Sequence, residues 1–180
     1  VAAIEKPASE SDWAEMRAIC VETSARPVPP ERRDAFGRLW IDPYRRWAPG
    51  CAYVARDEGR VVGYLTGCAA TASFLVLSGL FGPRPSLGAN LRFPKSLLLR
   101  LLRRYPAHLH VNVREGHRGG TGRALMERFE RDAAAAGAGG VHVFCGERPL
   151  GFYRKLGYEE LGRAAAGEKT IFALGKRLAG

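Results

Sequence analysis

Apolar and polar positions alternate with a period of two from Ala107 to Val113. Ala107, Leu109, Val111 and Val113 fall on one side and His108, His110 and Asn112 on the other. That period predicts a strand. From Thr121 the spacing changes: Leu125, Met126, Phe129 and Ala133 recur at helical intervals, and Gly137 supplies a stop. Gly116, Gly119, Gly120 and Gly122 lie between, so the run reads as strand, glycine-rich turn and helix.

The same reading extends along the chain. Val1–Lys6 is a candidate strand, and Ser9 or Ser11 can cap a helix to about Ser24 whose stripe is Trp13, Met16, Ile19 and Cys20. After Arg26-Pro-Val-Pro-Pro30, a second helix is expected over Arg32–Trp40, ending before Asp42-Pro43. Cys51–Arg56 and Arg60–Cys68 flank Asp57-Glu58-Gly59, a hairpin signal. Gly79–Asn90 reads as an irregular loop. Leu97, Leu98, Leu101 and Leu102 make the stripe of a basic helix that must stop before Pro106. A strand at Val141–Cys145, a short helix carrying Tyr153, and strands near Tyr158–Ala164 and Lys169–Leu174 complete the order.

Composition narrows the class. A chain of 180 residues, 46% hydrophobic, suits one full core and is short for two, so a single domain over 1–180 is expected. No run of eighteen apolar residues suggests a membrane span. No signal peptide is visible around Glu5-Lys6-Pro7. Cys20, Cys51, Cys68 and Cys145 share no close spacing, which argues against zinc and against a disulfide scaffold. Reduced thiols in a cytoplasmic protein are the simpler expectation. The net charge of +10 raises nucleic acid or an anionic surface as partners. Arginine outnumbers lysine beside abundant Ala and Gly, so coding bias plus a polyanionic ligand accounts for the charge; neither nucleic acid nor membrane is expected.

The glycine run carries the chemistry. A strand feeding a loop without side chains into a helix N-terminus is a general device for holding phosphate. A Walker loop needs Gly-Lys-Ser/Thr at its end, but Gly122 is followed by Arg123-Ala124. A dinucleotide fingerprint needs G-x-G-x-x-G and an acidic residue about 20 residues on, and neither is present.

His117-Arg118-Gly119-Gly120-Thr121-Gly122 resembles the Gln/Arg-x-x-Gly-x-Gly/Ala signature of the GNAT superfamily, the acetyl-CoA-dependent N-acetyltransferases. His117 stands where that family usually has Gln or Arg. Gly151-Phe-Tyr-Arg-Lys-Leu-Gly-Tyr158 resembles the family's second motif, with Gly146 and Pro149 where Asn and Ala are common. The segment Arg104-Tyr-Pro-Ala-His-Leu-His-Val also resembles GNAT proteins related to the acetyltransferase-like module found with some protein O-GlcNAc hydrolases. The resemblance covers nearly the whole chain. It implies an α/β (α+β) GNAT fold, a mixed sheet of six to seven strands flanked by helices, with a variable insert at about 70–106.

The resemblance also implies roles. Acetyl-CoA would be the co-substrate, with no metal, and the acceptor a small-molecule or peptide amine. The N–H groups of Arg118, Gly119, Gly120, Thr121, Gly122 and Arg123 would bind the pyrophosphate, with His117 able to donate a further hydrogen bond and carrying a charge that depends on pH. Val111, Asn112 and Val113 would bind the pantetheine arm and the thioester oxygen. Tyr153 would contact the coenzyme and protonate the departing thiolate. Dimers are common among proteins of this resemblance. A coenzyme A-binding sensor without effective catalysis is the alternative, and a basic nucleic-acid-binding domain a third reading.

The base has several candidates. All four histidines lie between His108 and His142, and His108 and His110 share a strand face with Asn112. They are read as satisfied polar groups of the sheet or as groups that deprotonate the amine, with His110 nearest the expected thioester. A His-x-His metal site lacks an obvious third ligand. Glu115 and Glu147 are alternative bases, though each reads first as a solvated loop charge. Trp40, Tyr44 and Trp47 are read as core or as lining of an acceptor pocket. The Leu/Arg helix at 95–104 is expected to pack over the acceptor side.

Overall fold

The computed structural model describes residues 2–81 and 93–179. Strand β1 (Ala3–Glu5) leads to α1 (Glu10–Glu22) and α2 (Arg33–Trp47). Strands β2 (Ala52–Asp57) and β3 (Arg60–Cys68) follow, then α3 (Thr71–Phe81) and α4 (Lys95–Arg104). The second half runs β4 (Ala107–Val113), α5 (Thr121–Ala135), β5 (Gly140–Cys145), α6 (Leu150–Lys155), β6 (Glu159–Ala166) and β7 (Lys169–Arg177). The strands form one seven-stranded sheet in the order β1-β2-β3-β4-β5-β7-β6. Every neighbouring pair is antiparallel except β4 and β5.

Local chemistry sets the boundaries. Ser9 is the cap of α1, accepting from the Asp12 N–H while the Asp12 carboxylate accepts from the Ser9 N–H. Such a reciprocal cap contributes about 1 kcal/mol. The β2–β3 turn passes through Glu58 and Gly59, both at positive φ, as a tight hairpin requires. At the other end of the fold, α5 stops before Gly137.

The period of two in β4 divides the interior. Leu109 joins a core with Leu125, Met126, Phe129 and Ala133 of α5 and Tyr53, Val62 and Leu65 of the hairpin. On the opposite face, Trp13, Met16, Ile19 and Cys20 of α1 and Ile41 of α2 pack on Ala52, Val54 and Tyr64. His108, His110 and Asn112 project on that second side, beneath α2 and α3.

The fold differs from the sequence reading in three places. Helix α2 does not end at Trp40 but runs through a buried Pro43 to Trp47. Trp40, Tyr44 and Trp47 continue its helical spacing, and their packing outweighs the lost backbone bond at proline. Helix α3 covers residues 71–78, to which the sequence reading gave no element, and residues 79–81 belong to it rather than to an irregular loop. Phe74, Leu75, Val76 and Leu77 are consecutive apolar residues, so no amphipathic period marked it. The remainder of that loop, 82–90, lies outside the described residues. Third, β6 and β7 reach Ala166 and Arg177, beyond Ala164 and Leu174. Helix α4 matches its stripe and packs across the sheet's far half. A Cβ on Gly162 of β6 would sit 2.8 Å from Leu97 Cδ2.

Candidate active site

Strands β4 and β5 pair only at Ala107↔Val141 and His108↔His142. Beyond that point they part, while β4 stays paired with β3 from His108 to Val113. The Arg114 N–H donates to the Val62 carbonyl. Alternation along an antiparallel ladder therefore turns the backbone of Asn112 and His110 toward β3 and that of Val111 and Val113 into the gap. Of the three strand positions singled out in the sequence, two offer backbone groups to a ligand there. Asn112 offers its side chain on the histidine face instead.

The gap opens toward the glycine loop. Gly120 is the cap residue of α5 at φ +90°, with no side chain closing the helix end. Among the described residues nothing accepts from the N–H groups of residues 118–123; the first bond of α5 is Ala124 N–H to the Gly120 carbonyl. A Cβ on Gly119 or Gly120 would meet nothing within 4 Å, so the space before these donors is open. Six convergent N–H groups at a helix start are an anion cradle. Gly122 serves packing instead, because a Cβ there would sit 3.2 Å from the Phe152 ring. That contact ties the loop to α6. His117 turns away from the cradle, its Nδ1 3.2 Å from Asp57 Oδ2. Arg118 is exposed, and Arg123 reaches Glu127 at 3.5 Å.

Helix α6 delivers Tyr153. Its ring lies edge-on to Phe152 at 5.2 Å and to Tyr158 at 5.6 Å. Burial pushes the phenol well above its ordinary pKa, with a smaller push from Cys145. It makes no hydrogen bond to a described residue. Tyr153 is a buried ring whose hydroxyl keeps its proton and donates to no described residue.

The histidine face is built differently. Thr71 Oγ1 donates to the Pro106 carbonyl at 2.6 Å, so its oxygen must accept from His108 Nδ1–H at 2.8 Å. His108 Nε2 then accepts from the Tyr44 hydroxyl at 2.9 Å. Cys68 Sγ lies 3.1 Å from His108 Nδ1. Burial, with His142 adjacent, brings the His108 pKa down to about 3. His142 donates from Nδ1 to the Tyr105 carbonyl at 2.6 Å, and burial lowers its pKa as well. Both are satisfied neutral residues of the sheet.

His110 sits nearer the gap. Its Nδ1 is 3.1 Å from the Tyr64 hydroxyl, which accepts from Asn112 Nδ2 at 2.9 Å. Asn112 Nδ2 is 3.4 Å from His110 Nε2. Trp40 stacks on the imidazole at 5.2 Å. Burial alone brings the His110 pKa down to about 4. Opposite it in register, Thr66 Oγ1 is buried without a partner among the described residues.

Trp40 and Tyr44 both touch the histidines, while Trp47 instead stacks with Arg46. Glu115 and Glu147 are exposed. Tyr64, Thr66, Cys68 and Thr71 were not singled out in the sequence. Tyr64, Thr66 and Cys68 alternate along β3 as His108, His110 and Asn112 do along β4, and that shared period was the available signal. Among the described residues no three His, Cys, Asp or Glu side chains are grouped to hold a metal ion. No described helix is long and apolar enough to cross a membrane. A cleft of about 440 Å³ along β1 and α5, lined by Ile4, Ala124, Glu127, Arg128, Arg131 and Asp132, shares no residue with this site.

A sheet parted between its central parallel strands lies beside an uncapped glycine loop suited to an anion. The chain matches the acetyltransferase (GNAT) family over residues 13–158 and belongs to that family. It is similar over its length to several solved structures. With the protein named SsHAT it shares 27% identity and a TM-score of 0.73, covering 99% of this chain and 98% of that one. An N-acetyltransferase from Staphylococcus aureus Mu50 matches at 16% identity and TM-score 0.61, covering 99% of both chains. A ribosomal-protein-alanine N-acetyltransferase from Brucella melitensis matches at 22% and 0.60, covering 98% of this chain and 99% of that one. The family generally uses acetyl-CoA and acts on amine acceptors. The chain is thus an acyltransferase of the GNAT N-acetyltransferase family.

Proposed function

We propose that the protein moves an acetyl group from acetyl-CoA to a primary amine of a small molecule or peptide by direct transfer, within one domain spanning 1–180. Acetyl-CoA supplies the activated thioester. The N–H groups of Arg118, Gly119, Gly120, Thr121, Gly122 and Arg123 hold its pyrophosphate. Val111 and Val113 hold the pantetheine arm through their backbone, and one of their N–H groups binds the thioester oxygen. One such preorganised donor lowers a barrier by about 3 kcal/mol. Tyr153 keeps its proton through the neutral range and gives it to the leaving thiolate. His110 accepts a hydrogen bond from the amine. Phe74 and Phe93, of the insert around 70–106, cover the acceptor side where they touch His108 and Phe144.

The observation that carries this reading is the pair of unused backbone sets, six N–H groups at the head of α5 and the free edge of β4. The test is thiol release from acetyl-CoA against a panel of primary amines. Tyr153→Phe should lower kcat about 10- to 100-fold with the KM for acetyl-CoA unchanged; undiminished kcat would remove Tyr153 as the acid. A coenzyme-holding sensor is the second reading, favoured by His117 facing Asp57 rather than the cradle. Tight acetyl-CoA binding without thiol release for any amine would select it.

A further inference from the structure

The helices above the histidine face carry six carboxylates, and each is already held by arginine. On α1, Glu10 pairs with Arg17 and Arg45, Asp12 with Arg56, and Glu15 and Glu22 with Arg114. On α2, Asp34 pairs with Arg38 and Asp42 with Arg17. The described groups around His110 are neutral on every side. Trp40 comes from α2, Tyr64 and Thr66 from β3, and Asn112 and His108 from its own strand. Cys20 of α1 reaches it only through the Tyr64 hydroxyl, and burial raises that thiol's pKa. Phe36 and Trp40, 6.3 Å apart, and Tyr44 and Phe74, 4.8 Å apart, add aromatic surface beside the two histidines.

An ammonium ion entering this face would find no carboxylate among the described residues to balance it. A buried charge without a partner is strongly disfavoured. Its proton would also find no competent base on this face, since Glu115 and Glu147 lie exposed in loops. His110, with its pKa near 4 and no charged group acting on it, takes a hydrogen bond and not a proton. Transfer from a lysine-type ammonium, pKa about 10.4, would be uphill by about a millionfold.

We propose that the acceptor is a weakly basic aryl amine, uncharged at neutral pH, which enters the histidine face without needing to shed a proton there. This rests on the acetyl-transfer reading above. The aryl ring lies against the Trp40 side of the face, and its N–H donates to His110 Nε2 in place of the long 3.4 Å approach of Asn112 Nδ2. On attack, the amine nitrogen bonds the acyl carbon, the carbon–sulfur bond breaks, and Tyr153 protonates the thiolate. The acylated nitrogen, now strongly acidic, releases its extra proton to solvent, and the phenolate of Tyr153 is reprotonated from solvent.

The experiment is initial-rate thiol release from acetyl-CoA with p-anisidine and with p-methoxybenzylamine, from about pH 6 to about pH 9. The expected kcat/KM for p-anisidine is flat. That for p-methoxybenzylamine climbs about tenfold per pH unit with its uncharged fraction. Asn112→Asp, which sets a carboxylate beside His110, should raise the benzylamine-to-anisidine ratio at neutral pH tenfold or more. A flat profile for p-methoxybenzylamine, or an unchanged ratio in Asn112→Asp, overturns the inference and leaves acetyl transfer standing. Thiol release with neither amine overturns both.

Discussion

The two halves of the active site meet at β4 and are built from opposite materials. The donor half uses backbone: the edge of β4 facing the gap and the free N–H groups from Arg118 to Arg123. The acceptor half uses side chains: His108, His110, Asn112, Tyr44, Tyr64, Cys68 and Thr71, nearly all tied to one another. Backbone recognition depends on leaving side chains out, so it writes itself into the sequence as glycine. A side-chain network depends on which strands and helices become neighbours, and no local spacing records that.

The largest effect that separates the halves is expected at the glycine loop. Gly120→Val places a branched side chain at φ +90° in front of the anion cradle, with no clash against the rest of the protein. The strain of about 1–2 kcal/mol and the obstructed donors should weaken acetyl-CoA binding tenfold or more, measured by calorimetry. The secondary structure seen by circular dichroism should be unchanged. A variant that binds as well as the parent would mean the loop does not hold the coenzyme.

On the other half, His108→Ala should act on stability rather than on turnover. It leaves the Tyr44 hydroxyl and Thr71 without their buried partner, a loss of about 2–3 kcal/mol in denaturant unfolding. The kcat per folded molecule should stay within about threefold. A collapse of kcat with stability intact would move His108 into the chemistry.

The same face predicts an acid limit. His108 and His110 have folded-state pKa values brought down to about 3 and about 4, and that of His142 is also lowered. Unfolded histidine titrates near 6.5. The stabilisation is therefore complete above about pH 6.5 and is lost as pH falls toward the folded values. The slope should approach 1.4 kcal/mol per pH unit for each histidine, roughly, and His108→Ala should remove one share. Equal slopes in parent and variant would mean His108 is not buried neutral. The smallest expected effect is at Thr66→Val. Replacing an unpartnered buried hydroxyl with an isosteric methyl should raise stability by up to about 1 kcal/mol; a loss of stability would mean the hydroxyl has a partner.

The sequence was most legible where one residue type has one physical reason to be present. The period of two in β4, the helical stripe from Leu125 to Ala133 and the glycines between them located the donor half and the fold. Gly122 was legible only in part, since its reason is the Phe152 ring thirty residues later. Helix α2 passed beyond its expected end because Trp40, Tyr44 and Trp47 keep helical spacing across Pro43. Helix α3 was illegible because its apolar residues are consecutive. His117 pointed to the cradle by position, yet Asp57 at the hairpin turn holds it, a contact made by tertiary folding alone. The histidine face was half visible: its β4 members alternate openly, while Tyr64, Thr66 and Cys68 required the register of β3 against β4.

The central claim, that the glycine loop and the free edge of β4 recognise coenzyme A, is tested most directly by calorimetric titration of acetyl-CoA into the unmodified protein. The account predicts one saturable site per chain, abolished or weakened at least about tenfold by Gly120→Val. No binding heat at millimolar acetyl-CoA, or the same affinity in both proteins, would contradict it.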